Sequence, residues 1–242
     1  MVRKFIKRNL PDSIQRLVRS YKNRDYNNLS IEQIFTKIYE TGAWGKPDDP
    51  ANIFFSGSGS RRDVEVAAYV DSVASFLRSL EVKPNVVDLG CGDFAVGAQV
   101  RAFCNEYVAC DVVPNLIAFN QVRFKDLDVK FKALDLVEDE MPPGDVAFVR
   151  QVLQHLSNKQ ISKFIARVSL RYKFLIVTEH LPSLTKFKQN LDKLPGPGTR
   201  MGQQSGVVLT SPPFNLRPKM ERTLCRVNSI DSGVLVTTAY GL

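Results

Sequence analysis

Asp88, Gly90, Gly92 and Asp93 fall within six consecutive positions of the stretch NVVDLGCGDFAVG, residues 85–97. A short apolar run ends in an acid and then turns through glycines, matching the loose dinucleotide fingerprint Gly-x-Gly-x-x-Ala. Gly90 and Gly92 allow a sharp bend and let the backbone approach a ligand with no side chain between. Two chemistries share that shape, a pyrophosphate cradle and a site for a phosphate-free ligand, and the acids discriminate between them. Asp88 closes the strand, and Asp93 falls where the next helix is expected to start, its carboxylate capping the free N–H groups. A pyrophosphate there would face both acids. At an effective dielectric of ~20, each unit-charge pair ~4 Å apart costs roughly 4 kcal/mol, more than a helix dipole returns. A ligand carrying an ammonium suits the turn better, with Asp88 accepting from it directly or through water.

The elements that must position these residues follow from periodicity. Short apolar strands are expected at 85–89, 106–110, 127–133, 145–149 and 172–178, alternating with helical stretches near 94–104, 114–123 and 158–169. That alternation predicts a parallel sheet with helices on both faces. Runs near 220–230 and 233–241, joined by Asp231-Ser232-Gly233, read as an antiparallel hairpin. Upstream, Val66, Tyr69, Val70, Val73, Phe76, Leu77 and Leu80 give a helix from Arg61 that Lys83-Pro84 closes. Another starts at the capping box Ser30-x-x-Gln33, runs through Ile31, Ile34, Phe35 and Ile38, and ends near Thr41-Gly42. The expected fold is an α/β, doubly wound, mostly parallel seven-stranded sheet with an antiparallel C-terminal hairpin and a helical N-terminal extension. Residues 1–60 form that extension and a lid loop; residues 61–242 form the ligand-binding domain.

In such a sheet the ligand binds at the carboxyl ends of the strands, where strand order reverses. The stretch VVDLGCG resembles the first motif of the class I S-adenosylmethionine-dependent methyltransferases, whose cofactor carries an amino group and a sulfonium but no phosphate. The resemblance implies that Asp88, Gly90 and Gly92 hold the methionine portion, with Cys91 and Phe94 as backbone or packing neighbours. The second strand ends in YVACDVV, and an acid about twenty residues past the turn is a ribose ligand in NAD enzymes too. Asp111, with Val112 beside it, takes that role under either cofactor. By the same resemblance Asp135, in KALDLVED, reaches the adenine amino group between Leu134 and Leu136. The segment DVAFVRQVLQHLSN resembles the one passing under the sulfonium in small-molecule methyltransferases, and brings Arg150, Gln151 and His155. The resemblance covers residues 61–180 and the terminal hairpin. It implies a methyltransferase that uses S-adenosylmethionine and releases S-adenosylhomocysteine.

Methyl transfer is an in-line displacement in which positioning of the acceptor does much of the work. A base is needed only if the acceptor loses a proton. His155 is the candidate, because a histidine near its free pKa of about 6.5 takes a hydroxyl proton at neutral pH; the alternative is a histidine that caps or packs on its helix. His180 and Glu179, at the fifth strand end, come second. The acceptor pocket is expected from two insertions. One is the loop 44–60, with Trp44, Tyr39 just before it, and the Gly-Ser run whose Ser58 and Gly59 are assigned to the cofactor. The other is the segment 181–219, since connections this long are usually functional. These segments look like those of bacterial enzymes acting on sugars, polysaccharide precursors or small metabolites, so O-methylation of a small-molecule or glycan acceptor is the leading expectation. A nucleic-acid or protein methyltransferase, and a cofactor-binding module without chemistry, stand beside it.

Composition bounds these readings. The 242 residues are 44% hydrophobic and 24% charged, ordinary for one globular domain, with no apolar run long enough to span a bilayer and no secretory signal. A cytoplasmic location is expected, with a peripheral membrane position as a second option. Cys91, Cys104, Cys110 and Cys225 lack C-x-x-C spacing, and two histidines are too few for a zinc site, so no metal and reduced thiols are expected. Of the net charge of +8, residues 1–24 carry eight bases against Asp12 alone, or +7; the other 25 bases face 24 acids. A nearly neutral body argues against a whole-surface nucleic-acid binder. Leu10, Ile14, Leu17, Val18 and Tyr21 make the arm an amphipathic basic helix. It suits docking on the body, an anionic membrane surface or an acidic partner, with RNA as the remaining alternative.

Overall fold

The computed structural model describes residues 24–242 except 27, 48, 50, 184–186 and 231. The expected arm helix over residues 1–23 lies outside the described residues. Seven strands form one sheet in the order β3-β2-β1-β4-β5-β7-β6. They are β1 Val86–Leu89, β2 Tyr107–Asp111, β3 Lys130–Ala133, β4 Val146–Arg150, β5 Phe174–Leu181, β6 Met220–Asn228 and β7 Val234–Gly241. Strands β1 to β5 are parallel, and β7 is antiparallel to both β5 and β6. The chain winds outward from β1 through β2 to β3, then returns to lay β4 and β5 on the other side. The crevice of the switch point therefore opens between β1 and β4.

Helices cover both faces. Helix α1, Ile31–Thr41, begins at the capping box, with Gln33 N–H donating to Ser30 Oγ and Ser30 N–H to Gln33 Oε1, and ends at Gly42 in the left-handed region. Its buried residues Ile34, Phe35 and Ile38 join the core formed by Val87, Leu89, Ala147, Val149, Leu175 and Val177. The other helices are α2 Asp63–Arg78, α3 Gly97–Val100, α4 Pro114–Arg123 and α5 Asn158–Arg171. On the opposite face α2 sets Val66, Tyr69, Val73, Phe76 and Leu77 against Val86, Tyr107, Ala109, Val146, Phe148 and Ile176. Fully burying each of these large apolar side chains contributes roughly 1.5–3 kcal/mol, which fixes the strand ends that carry the chemistry.

Three expected elements are corrected. The helix expected over 94–104 is one α-helical turn, α3, followed by a 3-10 turn at Arg101–Phe103. Phe94, at φ +57°, breaks the helix before it starts. The strand expected over 127–133 begins only at Lys130, because residues 125–127 form a 3-10 turn and Asp128 is left-handed. Strand β5 runs to Leu181, three residues past its expected end, because β7 pairs with it along that whole length.

Candidate functional site

A cavity of about 390 Å³ opens over the carboxyl ends of β1, β2 and β4, within the range of small-molecule sites. The glycine turn forms its floor. Gly90 and Gly92 both have positive φ, and a Cβ on Gly92 would lie 2.4 Å from Ser56 Oγ, so only glycine fits beneath the lid. The turn's own N–H groups are spoken for. Gly90 and Cys91 donate to the Cys110 carbonyl at 2.8 and 2.9 Å, and Gly92 donates to Asp111 Oδ2 at 3.0 Å. Asp93 N–H donates to Ser56 Oγ at 2.7 Å, and Phe94 N–H to the Cys91 carbonyl.

Asp93 is not the expected helix cap. Its Oδ2 accepts from Ser56 N–H at 3.1 Å and from Arg61 at 2.8 Å, so it ties the lid loop to the turn; α3 starts at Gly97 with no side-chain cap. Phe94 is corrected too. Its side chain is fully buried among Tyr107, Phe124 and Phe131, away from the cavity, because the left-handed backbone turns it into the core.

The other assigned residues converge on the cavity wall: Asp88, Cys91, Asp111, Val112, Leu134, Asp135, Leu136, Arg150, Gln151, Ser58 and Gly59. Desolvation by burial pushes the Asp88 carboxyl up to about 7, against a hydrogen bond donated by Tyr107. Asp111 is raised to about 6, again by burial, although Val113 and Gly92 donate backbone bonds to it. Asp135 Oδ1 accepts from Val137 N–H at 2.7 Å, leaving Oδ2 for a ligand. Arg150 donates to the Gly59 carbonyl at 2.8 Å and to Ser60 Oγ, lies over the Tyr69 ring, and keeps its buried Nε–H without a partner.

His155 lines the cavity, but as a different species from the one expected. Burial, with Lys193 nearby, lowers its pKa to about 3. Its Nδ1 lies 3.2 Å from the Gly196 carbonyl, which only accepts, so Nδ1 carries the hydrogen and Nε2 is the acceptor, with the Gln154 amide at 3.4 Å. The ring packs 5.0 Å from Trp44 and edge-on to Phe35. Trp44 Nε1–H donates to the Pro197 carbonyl, so the two insertions meet at the wall where Tyr39, Pro197, Thr199 and Met201 also face the cavity. His180 reaches the cavity but donates Nε2–H to the Ser232 carbonyl at 2.6 Å. Glu179 lies off the cavity wall; burial raises its pKa to about 8, opposed by Arg200 and by the backbone N–H groups of Gln154 and Leu153, which face its carboxyl without closing well-formed hydrogen bonds. Sequence reasoning missed Tyr107 and Arg61. The signal for Tyr107 was in the strand register, since Tyr107, Ala109 and Asp111 alternate onto the face that carries Asp88. Among the described residues no group of His, Cys, Asp and Glu is placed to hold a metal, and no helix is long and apolar enough to cross a membrane.

The residues fit S-adenosylmethionine: an acid beside a glycine cradle, a second acid at the end of β2, an apolar Leu134–Leu136 shelf, and an unpartnered guanidinium N–H. Comparison with known proteins agrees. A family model described as O-methyltransferase domain matches residues 18–177. The fold is shared with the N-methyltransferase NodS from Bradyrhizobium japonicum WM9 in complex with S-adenosyl-L-homocysteine, at 16% identity and TM-score 0.60, covering 87% of this chain and 98% of that one. It is also shared with magnesium protoporphyrin IX methyltransferase (ChlM) from Synechocystis PCC 6803 with bound S-adenosylmethionine, at 14% identity and TM-score 0.56, covering 89% and 99%. The bifunctional kinase-methyltransferase WbdD matches at 13% identity and TM-score 0.54, over 75% of this chain and 40% of that one. No curated protein matches in sequence.

Proposed function

From the premise that the chain belongs to the O-methyltransferase domain family and is an S-adenosylmethionine-dependent methyltransferase, we propose that it methylates a hydroxyl of an uncharged, ring-bearing small molecule or glycan. The observation that carries this reading is the acceptor wall. Phe35, Tyr39, Trp44 and a neutral His155 form one aromatic surface, closed by Pro197. Aromatic faces take sugar or aryl rings by stacking, and a desolvated wall of this kind penalises a charged acceptor.

When bound, S-adenosylmethionine supplies an electrophilic methyl group. Asp88 takes the ammonium, Asp111 the ribose, and Asp135 the adenine edge, while the lid residues Ser56 and Gly59 exclude water above them. The acceptor hydroxyl replaces the long 3.4 Å bond from the Gln154 amide at His155 Nε2, and the lone pair released there orients it. A hydroxyl oxygen that has gained a methyl is a far stronger acid than an imidazolium titrating near 3. Even this weakly basic ring is therefore able to receive the proton late, with no ionised base beforehand.

A panel assay with methyl-labelled cofactor tests the proposal: label is expected in neutral hydroxylated sugars or phenols, with Trp44→Ala raising KM more than it lowers kcat. Transfer confined to amines, nucleic acid or protein would refute it. The charge of +7 on residues 1–24 supports one addition, that the arm recruits the enzyme to an anionic membrane surface or acidic partner. Its deletion then lowers vesicle binding at low salt and leaves turnover on a soluble acceptor unchanged.

A further inference from the structure

We propose that Tyr107 is a positioning residue for the cofactor's amino-acid end: its phenol holds the Asp88 carboxyl turned and ionised toward the incoming ammonium. The proposal rests on Asp88 being the ammonium ligand. Tyr107 opens β2 opposite Val86, on the sheet face where Asp88 follows two residues later, and its hydroxyl donates to Asp88 Oδ2 at 2.9 Å. The ring has no freedom to choose another partner. It is 1% exposed and edge-on to Phe94 at 5.5 Å and to Phe148 at 6.3 Å, and the residue borders the cavity beside Asp88. With Oδ2 fixed by the phenol, Oδ1 is the acceptor left for a ligand.

The surroundings make that bond matter. Facing Asp88 are Tyr107 and Asp111 from β2, Tyr69 from α2, Arg150 from β4, Cys91 from the glycine turn and Cys104 from the turn after α3, with Cys110 on the far face of β2 still within its field. The phenols and thiols among them are pushed up by burial and stay neutral. Asp111 opposes a second negative charge, and Arg150 favours it while spending its terminal N–H groups on Gly59 and Ser60. The phenol is the neutral donor that tips a desolvated acid toward the charged form an ammonium requires. Cofactor affinity should therefore weaken below about pH 7, where Asp88 takes up a proton. Loss of the phenol should move that onset to higher pH.

Calorimetric titration of the full chain with S-adenosylhomocysteine, between pH 6 and 8.5, tests this, with 5′-methylthioadenosine as a probe lacking the amino acid. Tyr107→Phe should weaken S-adenosylhomocysteine about tenfold at pH 6 and less than about threefold at pH 8.5, given the usual strength of a bond to a charged group. Methylthioadenosine binding should change at neither pH. Tyr107→3-fluorotyrosine, a stronger donor of the same shape, should move the onset to lower pH and so decides the matter should the phenylalanine variant fold poorly. An equal loss at every pH, or an equal loss for methylthioadenosine, would reduce Tyr107 to a packing residue and overturn the proposal. Asp88→Asn separates the two readings. Wild-type affinity in that variant would remove Asp88 as the ammonium ligand, whereas its loss alongside an unchanged Tyr107→Phe would sink the Tyr107 assignment alone.

Discussion

Alanine at position 92 tests how the lid is seated on the glycine turn. Gly92 has φ +56°, where an alanine costs roughly 1–2 kcal/mol of backbone strain. The new Cβ would also lie 2.4 Å from Ser56 Oγ and 3.0 Å from Ser56 Cβ. Ser56 has no room to retreat. Its Oγ accepts from Asp93 N–H at 2.7 Å and pairs with the Tyr39 hydroxyl at 3.0 Å, and its own N–H donates to Asp93 Oδ2 at 3.1 Å. Displacing it sacrifices three hydrogen bonds, one to a charged group, for about 2–3 kcal/mol. Gly92→Ala should thus lose about 3–5 kcal/mol in urea denaturation and bind S-adenosylhomocysteine far more weakly. Ser56→Gly removes the obstructing atoms at a cost of about 2 kcal/mol. The double variant should then be more stable than the sum of the single losses by about 1 kcal/mol or more, a coupling that a double-mutant cycle measures. Strict additivity would mean that Ser56 does not sit on the turn.

Three further outcomes follow from the buried ionisable groups. His155 is held neutral with its pKa depressed to about 3, so the wild type should lose stability as pH falls from about 6.5 toward 3, while the unfolded chain takes up a proton the folded one refuses. His155→Gln should flatten that limb in acid denaturation, and wild-type kcat/KM should show no inflection from this ring between pH 5 and 8. Glu179 has the opposite sign for an acid: its pKa is raised to about 8, so the wild type loses stability as pH rises from about 4.5 to 8. Glu179→Gln should therefore be the more stable protein, by a margin that widens over that window in thermal melts. Arg200 is 1% exposed and donates to the Leu153, Leu156 and Leu191 carbonyls and to Asn158 Oδ1. Arg200→Met should cost about 3–5 kcal/mol, because it leaves three carbonyl oxygens and the Asn158 amide oxygen without their charged donor, and should speed limited proteolysis within 187–219.

What was legible in the sequence is what depends on neighbours along the chain. The Ser30 capping box, the Gly42 stop, the alternation of strands with helices and the β6–β7 hairpin each follow from local spacing, and the acids at the ends of β1 and β2 follow from the turn that succeeds each strand. What was missed depends on partners far away in sequence. Asp93 reads as a cap until Arg61 and Ser56, more than thirty residues upstream, claim its oxygens. Phe94 reads as a neighbour of the ligand until one left-handed residue turns it into the core. The free pKa of a histidine says nothing of a Trp44–Phe35 wall, and that wall lowers His155.

The choice between a diphosphate and a sulfonium cofactor also changes its basis once the partners are known. The sequence placed Asp88 and Asp93 against a phosphate, but Arg61 neutralises Asp93 at 2.8 Å. Geometry excludes the phosphate instead. A phosphate at a glycine turn is held by free backbone N–H groups and by the dipole of a following helix. Here the N–H groups of residues 90–94 are all donated within the protein, that of Gly92 to the Asp111 carboxyl itself. The next helix is a four-residue turn that begins only at Gly97. The backbone N–H groups of the turn are thus spent, leaving the Arg150 Nε–H on the cavity wall, while Asp88 and Asp111 stand desolvated, with pKa values raised to about 7 and 6. A cation entering beside them restores the ionised state that burial opposes. The free energy of burying the acids is thereby returned on binding, selectively to a ligand that presents an ammonium to Asp88 and hydroxyls to Asp111.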